Sequence, residues 1–340
     1  MKYILIYFAV ISLLSVILTI HDKSAARKGK KRISERSLFL LSILGGSVAM
    51  FAMMRIIRHK TKHKRFMLGI PLIIILQAVF IVFVCDSRLS VSHIDIETDK
   101  INEQIKLALV TDLHSCHYGN NQDKLVKAID SENPDVILLC GDIFDDGLPS
   151  DNAEEFIKNV SGKYPCYYVS GNHEFWSNKA DDFKTILELY GVNVLEGTSE
   201  ILEISDDIIR ISGIDDPDTD GYPSRSVSHS EQISRLQNNS VDDELFTVLL
   251  SHRPERIGEL LPLHPDIVLS GHAHGGQWRL PVLLENGLLS PNQGLFPKYT
   301  NGEYNFDNTS LIVSRGLARE STRLVPRIFN RPEIVVITLT

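Results

Sequence analysis

Cysteine is scarce in this chain. The 340 residues hold four, Cys85, Cys116, Cys140 and Cys166, with no C-x-x-C pair among them. A disulfide framework is therefore excluded as the organising principle, and cysteine usage does not fix a redox compartment. Acidic residues are nearly missing from the first quarter. Residues 1–84 carry 14 Lys or Arg against only Asp22 and Glu35, a formal +12. The remainder has the opposite shortage, 21 basic against 41 acidic residues, a formal −20, so the overall −8 averages two different objects. Internal repeats and low-complexity tracts are lacking too, which leaves membrane and globular elements to account for the length.

Long apolar runs are confined to the basic quarter. Met1–Ile20, Leu38–Ile57 and Met67–Val84 are apolar but for Lys2, Arg55, Gln77 and small residues. Each approaches the ~20 residues that cross a hydrocarbon core. A cleaved signal peptide, cued by Ala25-Ala26, competes for the first run alone. The two later runs favour an uncleaved membrane anchor of about three apolar helices over residues 1–84. Positive charge crowds both connecting loops, with Lys23, Arg27, Lys28, Lys30, Lys31, Arg32 and Arg36 in the first. Arg58, Lys60, Lys62, Lys64 and Arg65 crowd the second. Three full crossings would put these loops on opposite sides, against the positive-inside rule. If Leu38–Ile57 dips in, breaks at Gly45-Gly46-Ser47 and returns, both loops stay cytoplasmic. Met67–Val84 then delivers the acidic domain outside. An integral protein of the cell membrane with its acidic domain extracytoplasmic is the resulting expectation. Headgroup contact accounts for the basic loops, and no nucleic acid is expected as a partner.

Residues 85–104 read as a linker with an opening strand, because Val91–Glu97 alternates. From residue 105 to residue 340, strands alternate with helical patterns. Gln122–Asp130, Asn152–Val160, Ala180–Tyr190 and Pro254–Leu261 read as helices, several behind Asn, Ser or Asp caps. Ile201–Ile214 reads as a hairpin around Asp206-Asp207, and Glu333–Leu339 as a closing strand. The order predicts a mixed α/β domain in which helices surround two packed sheets. Pro281–Phe306, rich in Gly, Pro and Asn, reads as a long loop of the kind used as a lid or clamp. Trp278, Phe296, Tyr299 and Tyr304 either present apolar surface there or pack the loop down.

Five times an apolar, β-prone run stops on a small residue followed by a metal-type ligand. Ile105–Val110 leads into Thr111-Asp112-Leu113-His114, and Val136–Cys140 into Gly141-Asp142. Tyr167–Ser170 leads into Gly171-Asn172-His173-Glu174, Val248–Leu250 into Ser251-His252, and Ile267–Ser270 into Gly271-His272-Ala273-His274. Ligands at several strand ends converge on one rim of a sheet. Carboxylate, amide oxygen and imidazole suit a hard-to-borderline divalent ion. The glycines before Asp142, Asn172 and His272 invite tight turns. A lone Asp or His would more simply be a surface or core residue, and His93, His117, His229 and His264 are left as such. His117 is the nearest rival ligand.

The phrase set D-x-H, G-D-x-x-D, G-N-H-E, H and G-H-x-H resembles the calcineurin-like metallophosphoesterases over residues 91–340. Gly213-Ile214-Asp215-Asp216-Pro217 and Val313-Ser314-Arg315-Gly316-Leu317 resemble the membrane-associated, YkuE- and YaeI-type branch. Pro326-Arg327-Ile328-Phe329-Asn330-Arg331-Pro332-Glu333 resembles it as well. Ala318 departs from the Gly that branch usually carries. Arg58-His59-Lys60-Thr61 and Leu68-Gly69-Ile70-Pro71 resemble a small membrane domain of unknown function. The resemblance implies a helix/sheet/sheet/helix layering and two adjacent divalent ions, with manganese, iron, zinc, cobalt or nickel as candidates. One ion would take Asp112, His114, Asp142 and His274. The other would take Asp142, Asn172, His252 and His272. A hydroxide bridging the ions would attack a phosphoester or pyrophosphate, His173 would protonate the leaving group, and Asp145 would orient His173. Glu174 would be a structural contact. The anchor makes a lipid-linked or envelope substrate the favoured partner. A nucleotide or phosphoprotein phosphatase and a non-catalytic metal-stabilised scaffold are the alternatives.

Overall fold

Aliphatic and β-branched residues dominate the runs that precede the ligands, and each run is buried on both faces. The computed structural model describes residues 2–222, 227–239, 244–319 and 326–340. Two compact units divide the chain, one from Met1 to Asp86 and a second that begins at Ser87.

The second unit opens with β1 (Ser90–Ile96), β2 (Ile105–Val110), β3 (Val136–Cys140), β4 (Cys166–Val169) and β5 (Asn193–Val194). Next come β6 (Thr198–Ile204), β7 (Asp207–Ile214), β8 (Phe246–Ser251) and β9 (Ile267–Ser270). The last are β10 (Leu289–Ser290), β11 (Gly294–Leu295), β12 (Gly302–Phe306), β13 (Thr309–Val313) and β14 (Glu333–Leu339). One six-stranded sheet runs β1-β14-β2-β3-β4-β5, the other β12-β13-β9-β8-β7-β6, and β10 pairs with β11 apart from both. β2, β3 and β4 are mutually parallel, as are β7, β8 and β9. Parallel pairing puts the strand ends that carry the ligands on one edge of each sheet. The hairpin expected around Asp206 is β6–β7, and the closing strand is β14, which lies between β1 and β2.

Three apolar layers hold the sheets. Leu107, Leu109 and Leu138 of the first sheet meet Ile209, Val248 and Leu250 of the second. The outer face of the first sheet is covered by helices Asp123–Glu132, Asp151–Ser161 and Ala180–Leu189, through Ile129, Phe156 and Leu187. Helices His229–Asn239 and Ile257–Leu260 cover the second, through Leu236 and Leu260. The result is the helix/sheet/sheet/helix order. His229–Asn239 escapes the sequence pattern because only Ile233 and Leu236 mark its apolar side. Pro281–Phe306, expected as one long loop, ends instead in β12 of the second sheet, where Tyr304 and Phe306 alternate with polar residues; these two pack on this layer with Tyr299, Trp278 is half-buried and Phe296 is exposed.

The first unit contains three helices long and apolar enough to cross a membrane, Ile6–Arg27, Glu35–Ile56 and Lys64–Val84. The middle one bends at Gly45, whose φ of 111° ends the helical path within a π turn. Such a bend strands carbonyls, and inside hydrocarbon each must find a donor. Three do. Gln77 donates to Ser42 O at 3.0 Å and Ile43 O at 2.8 Å, and Tyr7 donates to Leu44 O at 2.9 Å. Ser47 in turn donates to Gln77 Oε1 at 2.6 Å.

Both ends of the bent segment meet at one place. The buried Asp22 carboxylate accepts from Arg32 at 3.1 Å, from Ile33 N at 3.1 Å and pairs with His59 at 2.8 Å. Lys60 lies 3.6 Å from Asp22 and 3.4 Å from Glu35. Residues just before the segment and just after it thus share one acceptor, while its bend lies beside Tyr7. Tyr7 and Asp22 stand roughly 22 Å apart along a straight helix of 1.5 Å rise. The third helix begins at the same end, where Phe66 stacks on Phe39 at 4.8 Å, and reaches the bend at Gln77.

Replacing Gln77 with Leu is expected to destabilise the helical unit by about 1–2 kcal/mol, the scale of membrane-buried hydrogen bonds. Thermal unfolding of the detergent-solubilised chain measures this. An unchanged melting temperature would show that Gln77 does not satisfy the bend.

Candidate metal centre

Each expected ligand sits where a parallel strand has just ended. Asp112 and His114 follow β2, Asp142 follows β3, Asn172 follows β4, His252 follows β8, and His272 and His274 follow β9. All seven are buried. Asp112, His114, Asp142, His272 and His274 have φ between 47° and 63°, in the left-handed region that Asp and His enter more readily than most residues. The hydrogen bonds Asp112 N to Gly141 O and His114 N to Asp142 O, at 3.0 and 2.9 Å, lock the β2 and β3 turns together.

Only one of the three glycines expected to enable a turn does so by conformation. Gly141 has φ 79°, and an added Cβ would also meet the His252 ring. Gly171 and Gly271 have ordinary φ; there a Cβ would collide with Asp142 and with Thr111 and Asp112. Close approach of backbone to ligand explains them.

Four groups of possible ligand atoms form among the described residues, each with its members within 4.8 Å of one another: two contain His173, with His114 and Asp142 and with Asp145 and Asp146, and two consist of expected ligands alone, Asp112, His114 and His274, and Asp142, His252 and His272. Asp142 joins these last two. Its Oδ2 is 3.2 Å from His252 Nε2 and 3.6 Å from His114 Nε2, while its Oδ1 accepts from His173 N at 2.8 Å. His274 Nε2 is 3.7 Å from Asp112 Oδ1.

The second nitrogen of three imidazoles is taken. His252 Nδ1 faces Cys140 O at 2.9 Å, His114 Nδ1 faces Asp145 Oδ2 at 3.1 Å, and His272 Nε2 faces Asn292 Oδ1 at 3.0 Å. Donation to those acceptors leaves a lone pair on the opposite nitrogen, as metal-binding imidazoles require. His114 Nε2, His252 Nε2, His272 Nδ1, Asp142 Oδ2 and both polar atoms of Asn172 are buried without a hydrogen-bond partner among the described residues. Orphaned polar atoms so concentrated are costly unless a cation takes them. The donor set fits divalent metal.

Several braces hold the rim. Glu174, fully buried, accepts from Asp142 N, Phe144 N and Gly171 N at 3.0, 3.0 and 2.8 Å, so one carboxylate pins both turns. Burial and the Asp142 charge push its pKa up to about 7, against those N–H donors. Asp215 accepts from Ser170 N at 3.0 Å, and Asp216 holds Arg253, the neighbour of His252, by two bonds of 2.6 Å. The Gly213–Pro217 phrase therefore steadies two ligand turns. Ala318 lies off the site, its carbonyl accepting from Arg327 at 2.8 Å.

The expected pairing of Asp145 with His173 gives way to a different one. His173 Nδ1 bonds Asp146 Oδ1 at 2.6 Å and stands 3.7 Å from Asp145. Gly147 N and Leu148 N, each at 2.8 Å, fix Asp145 Oδ1, and this aims Oδ2 at His114. Asp146 was visible in sequence only as the second half of an Asp-Asp pair. Asn292 lay in a loop with no signal, and Arg253 and Asp216 needed the fold. His117 is exposed and outside these groups, and His93 and His264 are exposed as well. His229 bonds Asp215 O at 3.0 Å.

Buried lone pairs of Asp and His at the rim of a two-sheet α/β sandwich define a metal-dependent hydrolase. The calcineurin-like phosphoesterase model matches residues 105–276, more than half of the chain, which therefore belongs to that family. Residues 12–66 match a family described as a protein of unknown function. The metallophosphoesterase YkuE of Bacillus subtilis is 29% identical over 69% of this chain and 78% of its own length. A Campylobacter jejuni metallophosphoesterase, Cj0846, is 25% identical over 89% and 78%. A Danio rerio transmembrane protein with a metallophosphoesterase domain is 26% identical over 59% of this chain, which spans 48% of that relative.

The electrostatics make metal uptake a proton-releasing event. Burial opposes charge on His252, but Asp142 outweighs it and pulls the imidazolium pKa up to about 10. Burial is likewise outweighed at His114 by Asp145 and Asp142, whereas burial and His252 keep His272 neutral. A raised value means that His252 carries its proton at pH 8 until a cation displaces it. Titrating metal at pH 8 in buffers of different ionisation enthalpy should show release of at least about one proton per chain. Heats independent of buffer would contradict this.

Proposed function

We propose that this membrane-anchored phosphoesterase cleaves phosphoester or pyrophosphate bonds at two adjacent divalent cations. The supporting observation is the pair of buried ligand groups joined through Asp142. Asp112, His114, Asp142 and His274 would hold one ion, and Asp142, Asn172, His252 and His272 the other, with Asp142 shared. This oxygen and imidazole set accepts manganese, iron, zinc, cobalt or nickel. When bound, the ions polarise the phosphoryl oxygens and supply a water of lowered pKa.

The chain's own side chains do the rest. Asp145 holds His114 in the tautomer that offers Nε2, Cys140 O does so for His252, and Asn292 sets His272 to offer Nδ1. His173 stands edge-on to His114 with ring centroids 4.4 Å apart, and Asp146 fixes its Nδ1 proton. As the imidazolium, His173 would give its Nε2 proton to the leaving oxygen as the phosphorus–oxygen bond breaks and water oxygen bonds to phosphorus, the water's displaced proton going to solvent and Nε2 being reprotonated from solvent for the next turnover. Asp142→Asn is expected to lower hydrolysis of bis-p-nitrophenyl phosphate at least about 100-fold, with the circular dichroism spectrum kept. Unchanged turnover would remove the catalytic assignment. His173→Ala should lower kcat by about 100-fold with metal content retained. Loss of metal instead would make His173 a ligand.

The anchor crosses the membrane twice and dips once. What supports this is Asp22, which gathers residues from both ends of the bent segment, together with the bend's own satisfied carbonyls. Both basic loops then lie on one side, cytoplasmic by the positive-inside rule, and Val84 emerges on the other. The catalytic unit is extracytoplasmic, facing lipid-linked or envelope phosphoesters. Cys85 is exposed and the other three cysteines are buried, so it reports sidedness. A membrane-impermeant maleimide applied to intact cells should label Cys85 and spare Lys62→Cys. The reverse pattern would invert the topology.

A further inference from the structure

The segment after the last expected ligands carries apolar surface that no described residue of its own unit covers. Val282 is 86% exposed, Leu283 79%, Phe296 68% and Leu295 65%. They occupy two adjoining turns. Leu284 N bonds Leu280 O at 2.8 Å to close the first. The second is the β10–β11 hairpin, in which Leu289 faces Leu295 and Phe296 N bonds Leu288 O at 2.9 Å. Leu288 N bonds Gly276 O at 2.9 Å, which ties both turns to the strand-end segment of His272 and His274. Tyr299, just beyond the hairpin, and Tyr304 and Phe306 on β12 pack inward, so the segment sorts its apolar residues into two sets rather than being loosely apolar. Grouped exposed aliphatic and aromatic residues of this kind mark a contact surface.

Topology says what that surface meets. β14 is antiparallel to β2, with Val335 opposite Leu109, so β14 starts at the β2 end that carries Asp112. β1 is parallel to β14, with Ser90 opposite Glu333. The chain coming from the anchor therefore enters the catalytic unit on the ligand rim. Arg315 marks the proximity: its Nη2 is 3.5 Å from Ser90 Oγ, and it lines with Arg279 and Val282 a cavity of about 650 Å³. Only residues 85–89 separate Val84 from Ser90, and the six steps between those two residues span at most about 22 Å of extended chain. The ligand rim, the apolar turns and the tether thus share one edge of the unit.

We infer that the turns at 280–284 and 289–296 seat in the headgroup region of the bilayer and deliver membrane-resident phosphoesters to the metal centre. The inference rests on the phosphoesterase reading of that centre. Asn292 sits in the tip of the seated hairpin and holds His272 at 3.0 Å, so docking and ligand orientation share a residue. Val282, Leu283, Leu295 and Phe296 supply the buried apolar area, and interfacial binding scales with that area.

The test uses the full chain in vesicles of phosphatidylethanolamine and phosphatidylglycerol, with Cys85→Ser as background. An environment-sensitive fluorophore is placed at Val282→Cys, Phe296→Cys or Gly162→Cys, the last at the opposite edge before β4. Nitroxide carried on lipid should remove most emission at 282 and 296 and none at 162. Equal emission at all three sites overturns docking. Quenching that vanishes in nanodiscs holding one copy also overturns it, because the surface would then join two copies. Neither readout needs catalysis, and hydrolysis of bis-p-nitrophenyl phosphate on the same samples reports the active site separately. For delivery, a p-nitrophenyl phosphodiester bearing an acyl chain should be cleaved from vesicles with kcat/KM about tenfold above the soluble diester. Val282→Asn combined with Phe296→Asn should erase that advantage. Equal turnover of both esters, or none of the acylated one, overturns delivery.

Discussion

A carboxylate taken wholly out of water organises this molecule. Asp142 sits at the end of a central strand with one oxygen facing two imidazoles and the other accepting a single backbone N–H. A buried charge demands compensation nearby, and the surroundings supply it in one of two forms. Without cations, the imidazolium of His252 neutralises it. With a divalent cation bound, that proton would leave and metal would take its place. The same side chain is thus the reason the rim holds together and the reason it can bind ions.

Holding Asp142 costs backbone freedom. Five of the seven ligands lie in left-handed conformations, each worth roughly 1–2 kcal/mol for a residue with a side chain. Such strain persists only where the surroundings over-determine it. Glu174 supplies much of that constraint by accepting three N–H groups from two turns, and Asp215 and Asp216 extend it to the turns carrying Asn172 and His252. Beneath them lie sheets buried on both faces, which make the strand ends rigid. The candidate metal-binding groups stand on loops, but those loops are tied to each other by buried carboxylates.

A related economy operates in the helical unit. A bend at Gly45 would strand carbonyls in hydrocarbon, and Gln77 and Tyr7 meet them. Asp22 plays at the charged end the part that Asp142 plays at the rim: one acidic group collects cationic partners from segments distant in sequence. In both units a lone carboxylate fixes the path of several chain segments.

Much of the catalytic unit was legible in the sequence. Apolar runs long enough for strands and stopping at ligand types marked β2, β3, β4, β8 and β9 and the seven buried side chains at their ends, because burial on both faces and abrupt polarity are local properties of the chain. The helix at His229–Asn239 was not legible, since two apolar side chains make too weak a period. The separate parts of Asp145 and Asp146 were not legible either. Adjacent residues of one type differ only in where the backbone aims them, and the N–H groups of Gly147 and Leu148 decide that. Asn292 meets His272 across a loop whose composition says nothing of its partner. Gly171 and Gly271 looked like turn formers, yet crowding by Asp142 and Asp112 explains them, and crowding exists only once the strands have paired. The sequence by itself determined which groups could bind metal and where strands would end. Tertiary structure decided which nitrogen each histidine offers, which aspartate serves which imidazole, and at which edge β1 begins, because those depend on directions in space that only packed sheets create.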